Sequence, residues 1–503
     1  MIGADTPATY AGRGWLVLAV AGLSYWFWLG FPFANHNESY AWVAQFQSMD
    51  FGAALTHHLI GVANVRPLGT GLAWLAYRAS HGSILPVEIL NYILAVAAWA
   101  LLASWHPRRR VFALAALGVG AVLFSGYVYL FHLHGIFYSP LLVLIAVLLT
   151  QSAPQISNRR TGTLFLGALA AALFHPFALP LFAAWLFGAW LERRAPAVTV
   201  ASLLGVSAVI TRLLLSGAKS LPFGPGTWSG LLVSYRMVEI HPAVTAFTLV
   251  LVAATALTTR LPGLARGLLA AALVVLGGVL AARTGSALPA WILACLLKLA
   301  IERRWSWAGM LALAAIFPIA YPTGSPTYTV PAWMICAATL ALGADRLEHA
   351  LAHLPRIAPW TATGLIVAAV LALRLDYRVP VLAGLYRPLA AERERTYQLE
   401  GVIDWALLSD RRENPIVLYR EARSPSEASN AIERTHRPPT QQAHLDRYMA
   451  ERRPGPGTGS SRLLVTFGGE ALPEGELVYG SGSRYAGQVR VYQVRGTDRP
   501  RPP

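Results

Sequence analysis

Long apolar runs, separated by short connections that carry arginine clusters, constrain this chain more than any other feature. An apolar run of about 17–25 residues crosses a bilayer as an α-helix. Charged residues make up 13% of the 503 residues, against about 25% in a typical soluble domain. The sequence therefore predicts a multi-pass α-helical membrane protein with about 11–13 transmembrane helices. Thirteen runs are candidate spans, several of them short: residues 15–33, 85–105, 111–131, 137–150, 163–175, 177–191, 198–215, 242–258, 267–282, 286–301, 307–321, 329–343 and 360–375.

The arginine clusters predict the orientation of these spans, because cytoplasmic connections carry an excess of lysine and arginine. With thirteen spans and a cytoplasmic N-terminus, every cluster lies on the cytoplasmic side. The loop 34–81 and everything after residue 375 then lie outside. This arrangement requires that residues 66–80 do not cross the membrane; if they cross, the clusters lie outside instead. The clusters are at residues 108–110, 159–160, 193–194, 260 with 266, and 303–304.

The net charge of +16 does not indicate nucleic-acid binding, because the basic residues fall largely in these short connections, as topology determinants do. Nucleic acid is therefore not among the predicted partners. The two cysteines, Cys295 and Cys336, both lie inside apolar segments. They provide neither a disulfide framework nor a CxxC metal site.

The composition changes after residue 375, which predicts a boundary between a membrane domain (1–375) and a soluble domain (376–503). The second part holds sixteen of the 25 acidic residues of the chain. Its patterns predict a helix over 392–408 and strands over 414–419, 462–467 and 488–494. We expect a small extracytoplasmic α/β domain with a flexible C-terminal end.

External carboxylates are scarce before residue 376, and this makes Glu38 and Asp50 candidate catalytic residues. A carboxylate just beyond a membrane helix can act as the general base for a hydroxyl acceptor. The competing interpretation is a helix cap, since Asn35, Asn37 and Asp50 are good capping residues.

Several histidines and basic residues of the predicted external face are candidates for binding a substrate. The histidines could bond to a sugar hydroxyl or to backbone carbonyls, and an arginine binds phosphate with two parallel hydrogen bonds. Snorkelling to the interface is the alternative for the arginines. No HExxH spacing is present, so we predict no metal and no other cofactor, with a divalent metal left open. The candidates are Arg66, Arg212, Arg236, Lys219, His36, His57, His58, His134 and His175.

The layout resembles the GT-C superfamily of membrane glycosyltransferases, which use polyprenyl-phosphate-linked sugars. Its members place an acidic residue in the first external loop, often beside a second acid and followed by an aromatic residue. The segment NHNESYAW provides Glu38, Tyr40 and Trp42, but Asn37 stands where a second acid would be. The segments HGIFYSPLLVL and FHPFALPLF are similar to helices of bacterial members. About a dozen spans and a C-terminal α/β domain also match in outline.

This resemblance implies that the chain moves a sugar from a polyprenyl-phosphate donor to a hydroxyl of a glycan, lipid or protein. Glu38, with Asp50 in reserve, would deprotonate the acceptor, and Arg212, Arg66 or Arg236 would hold the donor phosphate. The implied location is the bacterial inner membrane, with the active site and the C-terminal domain on the periplasmic side.

Three other functions stay open from the sequence. An O-antigen ligase or polymerase also acts outside on lipid-linked glycans, but relies on arginine and histidine rather than on one carboxylate. A transporter or lipid flippase would place ionisable residues near the middle of the membrane, in broken helices. A membrane scaffold without catalytic activity is the third.

Overall fold

The structure is a computed structural model in which the larger described blocks are helical. It describes residues 50–56, 66–80, 85–104, 133–151, 153–214, 242–320, 329–343, 401–409, 413–418, 461–467, 475–483 and 487–495, with Phe46, Tyr235, Arg346, Gln398, Leu399 and Arg411.

The described part of the chain is mostly helical, with one small sheet near the C-terminus. A short 3-10 turn, Leu133–Phe137, precedes the fourth helix. The helices are α1 (Phe51–Thr56), α2 (Pro67–Ala79), α3 (Leu85–Ser104), α4 (Ser139–Leu149), α5 (Asn158–Ala172), α6 (Ala178–Leu191), α7 (Ala197–Leu214), α8 (Pro242–Leu257), α9 (Gly263–Thr284), α10 (Leu288–Ile301), α11 (Trp305–Ala320) and α12 (Val330–Ala341).

Among the described helices, two, α7 and α9, are long and apolar enough to cross a membrane. Only 11% and 17% of the residues in their apolar windows are buried in the protein. Val198, Leu213, Leu264 and Val275 are between 65% and 80% exposed. Apolar faces of this extent mark contact with lipid or with another protein. The apolar stretch of α3, residues 86–102, and those of the other apolar helices described are shorter, so the thirteen-span topology stays a prediction.

Helix α6 is central to the packing, and it contacts α4, α5, α7 and α11. Its Trp185 side chain is fully buried. A Cβ atom added at Gly188 would overlap the backbone of Ser306, and one added at Gly309 would come within 2.9 Å of the Ala184 carbonyl oxygen. Glycine on each helix therefore lets the two backbones of α6 and α11 approach closely, as small residues do between membrane helices.

The same Glu-Arg-Arg turn ends α6 and α10, which are 14 residues long each. The middle arginines, Arg193 and Arg303, have φ of 57° and 55°. In each turn the second arginine, Arg194 or Arg304, donates its amide to the carbonyl five residues earlier, at 2.8 Å. A left-handed residue after the last helical turn satisfies carbonyls that the helix leaves open. The chain thus uses one helix ending twice, about 110 residues apart.

The glutamate of each turn, Glu192 or Glu302, makes more than one polar contact with neighbouring residues. Glu192 accepts hydrogen bonds from the Ser306 amide (2.7 Å) and hydroxyl (2.8 Å), and it pairs with Arg194 at 3.0 Å. Glu302 pairs with the buried Lys298 at 2.7 Å and with Arg346 at 3.0 Å. Since a buried charge is stable only when it is paired and hydrogen-bonded, these contacts fix one end of the helical bundle.

The C-terminal sheet has the strand order β1-β2-β4-β3, in which β1 runs parallel to β2 and the other neighbours are antiparallel. Helical residues 401–408 contribute Val402 and Ile403 to a core with Leu463 and Val491. The strands are β1 (Ile416–Leu418), β2 (Ser461–Phe467), β3 (Glu476–Ser483) and β4 (Gly487–Arg495).

Three of these strands, β1, β2 and β4, lie where the sequence predicted strands, and β3 was not predicted. Its sequence, ELVYGSGS, holds glycine and serine where strands favour β-branched and aromatic residues. Because β3 lies at the edge of the sheet, only one of its sides needs a partner strand, and this tolerates a weak strand sequence. The domain boundary at residue 375 stays a prediction.

We expect Gly188→Ala to destabilise the protein by about 1–3 kcal/mol, because the added methyl group would overlap the α11 backbone. The thermal unfolding midpoint of the purified protein in detergent measures this. Gly167→Ala on α5 is the matched control, because a Cβ there meets no atom within 4 Å. Equal midpoints for the two variants would contradict the close α6–α11 contact.

Candidate functional site

Six of the predicted site residues lie outside the described residues: Glu38, His36, His57, His58, Lys219 and Arg236. The backbone of His134 belongs to the 3-10 turn Leu133–Phe137. Four candidates remain with described side chains, and they fall in different places: Asp50, Arg66, Arg212 and His175.

Asp50 is exposed and caps helix α1. Its Oδ1 accepts a hydrogen bond from the Ala53 amide at 2.7 Å, and its carbonyl accepts from Ala54 at 3.0 Å. This is the capping geometry that the sequence offered as the alternative to catalysis. The carboxylate therefore has a local structural role, and a catalytic role for Asp50 stays a prediction.

Arg66 stands directly before α2 and is 2% exposed. Its guanidinium carbon lies 4.5 Å from the centre of the Phe137 ring and 5.9 Å from that of Tyr138. A guanidinium over an aromatic face gains electrostatic energy, and more when water is excluded. Two features hold the backbone next to Arg66 in place. Pro67 begins helix α2, and the Leu68 amide donates to the Leu173 carbonyl at 3.2 Å.

His175 lies in the break between α5 and α6 and is fully buried. Pro176 has no amide hydrogen, so the α5 helix cannot continue through it. The Phe177 amide donates to His175 Nδ1 at 3.2 Å. Because Nδ1 accepts, the neutral imidazole carries its proton on Nε2. The break thus presents a hydrogen-bond donor inside an apolar bundle.

Tyr138 lies between these two residues. Its ring centre is 5.0 Å from that of His175 and 5.9 Å from the Arg66 guanidinium carbon. Phe317 of α11 meets the His175 ring edge-on at 5.2 Å. We call Arg66, Phe137, Tyr138, His175 and Phe317 the Arg66–His175 cluster. It brings together two residues that are 109 positions apart in the sequence.

A buried carboxyl group, Glu88, was not among the predicted site residues. It is 4% exposed on α3 and shares the buried face of that helix with Asn91, three residues later. Within the described part of the chain, Glu88 Oε1 has no hydrogen-bond partner. Helix α3 packs against the 3-10 turn that carries Phe137. The sequence does contain a signal that could have identified Glu88. Glu88 and Asn91 are polar residues three positions apart inside an apolar run, so they share one face of the helix.

Arg212 belongs to a different part of the surface. It is exposed near the C-terminal end of α7 and lines a groove of about 870 Å³ between α6 and α7. Across the described ranges, no hydrogen bond, ion pair or ring contact joins it to the Arg66–His175 cluster. The two arginines therefore have different surroundings, aromatic rings around Arg66 and a groove wall at Arg212.

The described residues contain no group of three or more histidine, cysteine, aspartate or glutamate side chains that could hold a metal ion. Cys295 and Cys336 are both buried, and the Cys295 thiol lies 3.8 Å from the Cys336 carbonyl oxygen. The chemistry available in the described site is thus that of a guanidinium, an imidazole, a phenol and a carboxyl group.

Comparisons with protein-family models, with curated proteins and with solved structures find no match to this chain.

Proposed function

We propose that this protein is an integral-membrane glycosyltransferase that moves a sugar from a polyprenyl-phosphate donor to a hydroxyl group of a glycan, lipid or protein. The observation that carries the proposal is the Arg66–His175 cluster. A buried guanidinium and a buried imidazole with its proton on Nε2 lie on one aromatic ring, Tyr138. Ionisable residues are expensive in apolar surroundings and are usually there for function.

In the proposed reaction, the acceptor oxygen attacks the anomeric carbon of the donor sugar. The bond from that carbon to the phosphate oxygen breaks, and polyprenyl phosphate leaves with the electron pair. Glu38 takes the proton of the acceptor hydroxyl as general base. Arg66 offsets the negative charge that develops on the leaving phosphate, and His175 Nε2 donates a hydrogen bond to a phosphate or sugar oxygen. No cofactor takes part.

The proposed location is the extracytoplasmic face of the bacterial inner membrane. Helix α6 begins beside His175 and ends at the Glu-Arg-Arg turn of Arg193 and Arg194. Its 14 residues extend about 21 Å, so the cluster and the arginines lie at opposite ends. Because short arginine-rich connections stay in the cytoplasm, this arrangement supports a cluster that faces outward.

A second candidate function is an O-antigen ligase or polymerase that acts on lipid-linked glycans. The contact of both Arg66 and His175 with the Tyr138 ring favours it, since such enzymes rely on arginine and histidine rather than on one carboxylate. In the glycosyltransferase mechanism a carboxylate takes the proton of the acceptor hydroxyl, whereas the second candidate does not rely on one carboxylate. The Glu38→Gln variant therefore distinguishes the two functions.

We expect Glu38→Gln to lower the turnover of a polyprenyl-phosphate sugar by at least about 100-fold, because an amide cannot accept the proton. Donor binding should change little. Radiolabelled sugar transfer by the purified protein measures turnover, and donor titration measures binding. Glu476→Gln is the matched control, because Glu476 is exposed on strand β3. Unchanged turnover in Glu38→Gln would contradict the mechanism and favour the second candidate function.

Arg66→Lys should lower turnover about 100-fold, because lysine keeps the charge but loses the planar group that stacks on Phe137 and binds phosphate with two hydrogen bonds. The same transfer assay tests it. Arg283→Lys is the control, because Arg283 is exposed at the end of α9. Equal turnover in both variants would remove Arg66 from the site.

A reporter fused after Asp376 should lie outside the cytoplasm, and one fused after Arg304 inside it. Alkaline phosphatase, which folds only outside, and green fluorescent protein, which fluoresces inside, give opposite signals for each fusion. The reverse pattern would invert the topology, and the cluster would then face the cytoplasm.

A further inference from the structure

The groove between α6 and α7 has features that the proposed function does not use. Helix α7 is one of the two candidate membrane spans, and most of its surface is exposed and apolar. The groove lies between α6 and α7, and two of its lining residues, Ala208 and Arg212, are exposed. Its walls are formed by Pro180 and Ala183 of α6 and by Leu204, Ser207, Thr211 and Arg212 of α7. The groove is therefore open to the lipid that surrounds a spanning helix.

Two polar groups of this groove are placed at different depths. Arg212 is exposed near the outer end of α7, whereas Ser207 is 2% exposed and lies on the groove lining. Five residues separate them, which is about 7.5 Å along a helix axis. A ligand that satisfies both must carry an anion at one level and a hydrogen-bond acceptor somewhat deeper.

Ser207 lacks a hydrogen-bond partner within the described part of the chain. Ser202, on the same helix, donates its hydroxyl to the Val198 carbonyl four residues earlier, at 2.9 Å. A buried hydroxyl without an acceptor costs free energy. An acceptor supplied by a ligand in the groove would remove this cost.

The charge of Arg212 also lacks a counterpart on the groove walls. Neither α6 nor α7 contains an acidic residue within its helical bounds. A net negative headgroup would complete this pair, and a guanidinium binds phosphate oxygens with two parallel hydrogen bonds.

We propose that the α6–α7 groove binds an anionic glycerophospholipid of the membrane. Its phosphate lies at Arg212, an ester carbonyl of its glycerol backbone accepts the Ser207 hydroxyl, and one acyl chain follows Leu204 and Ala183. This ligand is a diacyl lipid rather than an isoprenoid phosphate, because an isoprenoid phosphate has only hydrocarbon below its phosphate. The site is separate from the Arg66–His175 cluster and does not depend on the proposed function.

Lipid titration by native mass spectrometry of the full-length protein in detergent tests the proposal with two matched lipids. One is diacyl phosphatidylglycerol, and the other is its dialkyl ether analogue, which lacks ester carbonyls. The wild-type protein should bind the ester lipid about fivefold more tightly, the size of one neutral hydrogen bond. Ser207→Ala should bind both lipids equally, and Ser207→Thr, which keeps a hydroxyl, should retain the preference.

Arg212→Gln should weaken the binding of both lipids about tenfold, through loss of a charge-assisted hydrogen bond. Ser202→Ala on the same helix and Arg283→Gln on α9 are the matched controls, and both should bind like the wild type. Equal binding of the ester and ether lipids by the wild type would overturn the proposal. An equal loss in Arg283→Gln would mean general lipid contact and would overturn it too.

Polyprenyl phosphate provides the last arm of the test. It should compete poorly with the ester lipid for the wild-type groove, because it offers nothing to Ser207. If it binds more tightly than phosphatidylglycerol and is lost in Arg212→Gln, the groove belongs to the isoprenoid lipid and the proposal is wrong.

Discussion

The close contact between α6 and α11 is the interaction on which the rest of the helical part depends. Gly188 removes the side chain that would keep the two backbones apart. Glu192 then accepts both the amide and the hydroxyl of Ser306. At the other end of the same pair, Phe177 of the α5–α6 break stacks on Phe317 at 4.0 Å. The pair thus fixes the charged turn and the Arg66–His175 cluster at opposite ends of one unit.

Placement of charge follows from the cost of ionised groups in apolar surroundings. The Glu-Arg-Arg turns of α6 and α10 pair their carboxylates with cations, and Lys298 is buried only together with Glu302. Arg66 lies over two aromatic faces, which attract a guanidinium more strongly where water is excluded. The charged turns hold the fold, and Arg66 is the charge proposed to act on substrate.

The sequence predicted the apolar helices, the break at His175 and Pro176, and three of the four strands, because each depends on local pattern. It predicted Asp50 both as a cap and as a catalytic residue, and the hydrogen bond to the Ala53 amide supports the cap. It did not assign Glu88 to a site, because the burial of this carboxyl group arises from tertiary packing.

What the sequence determined by itself is the apolar, helix-rich character of the chain, since hydrophobic period and arginine position are local properties. Only the tertiary structure decided that Arg66 and His175 share one aromatic ring, while Arg212 lines a different groove. All three were candidates for binding the substrate. Residues more than 100 positions apart meet because helices pack by shape and because small residues permit close approach, and neither property can be read from one segment alone.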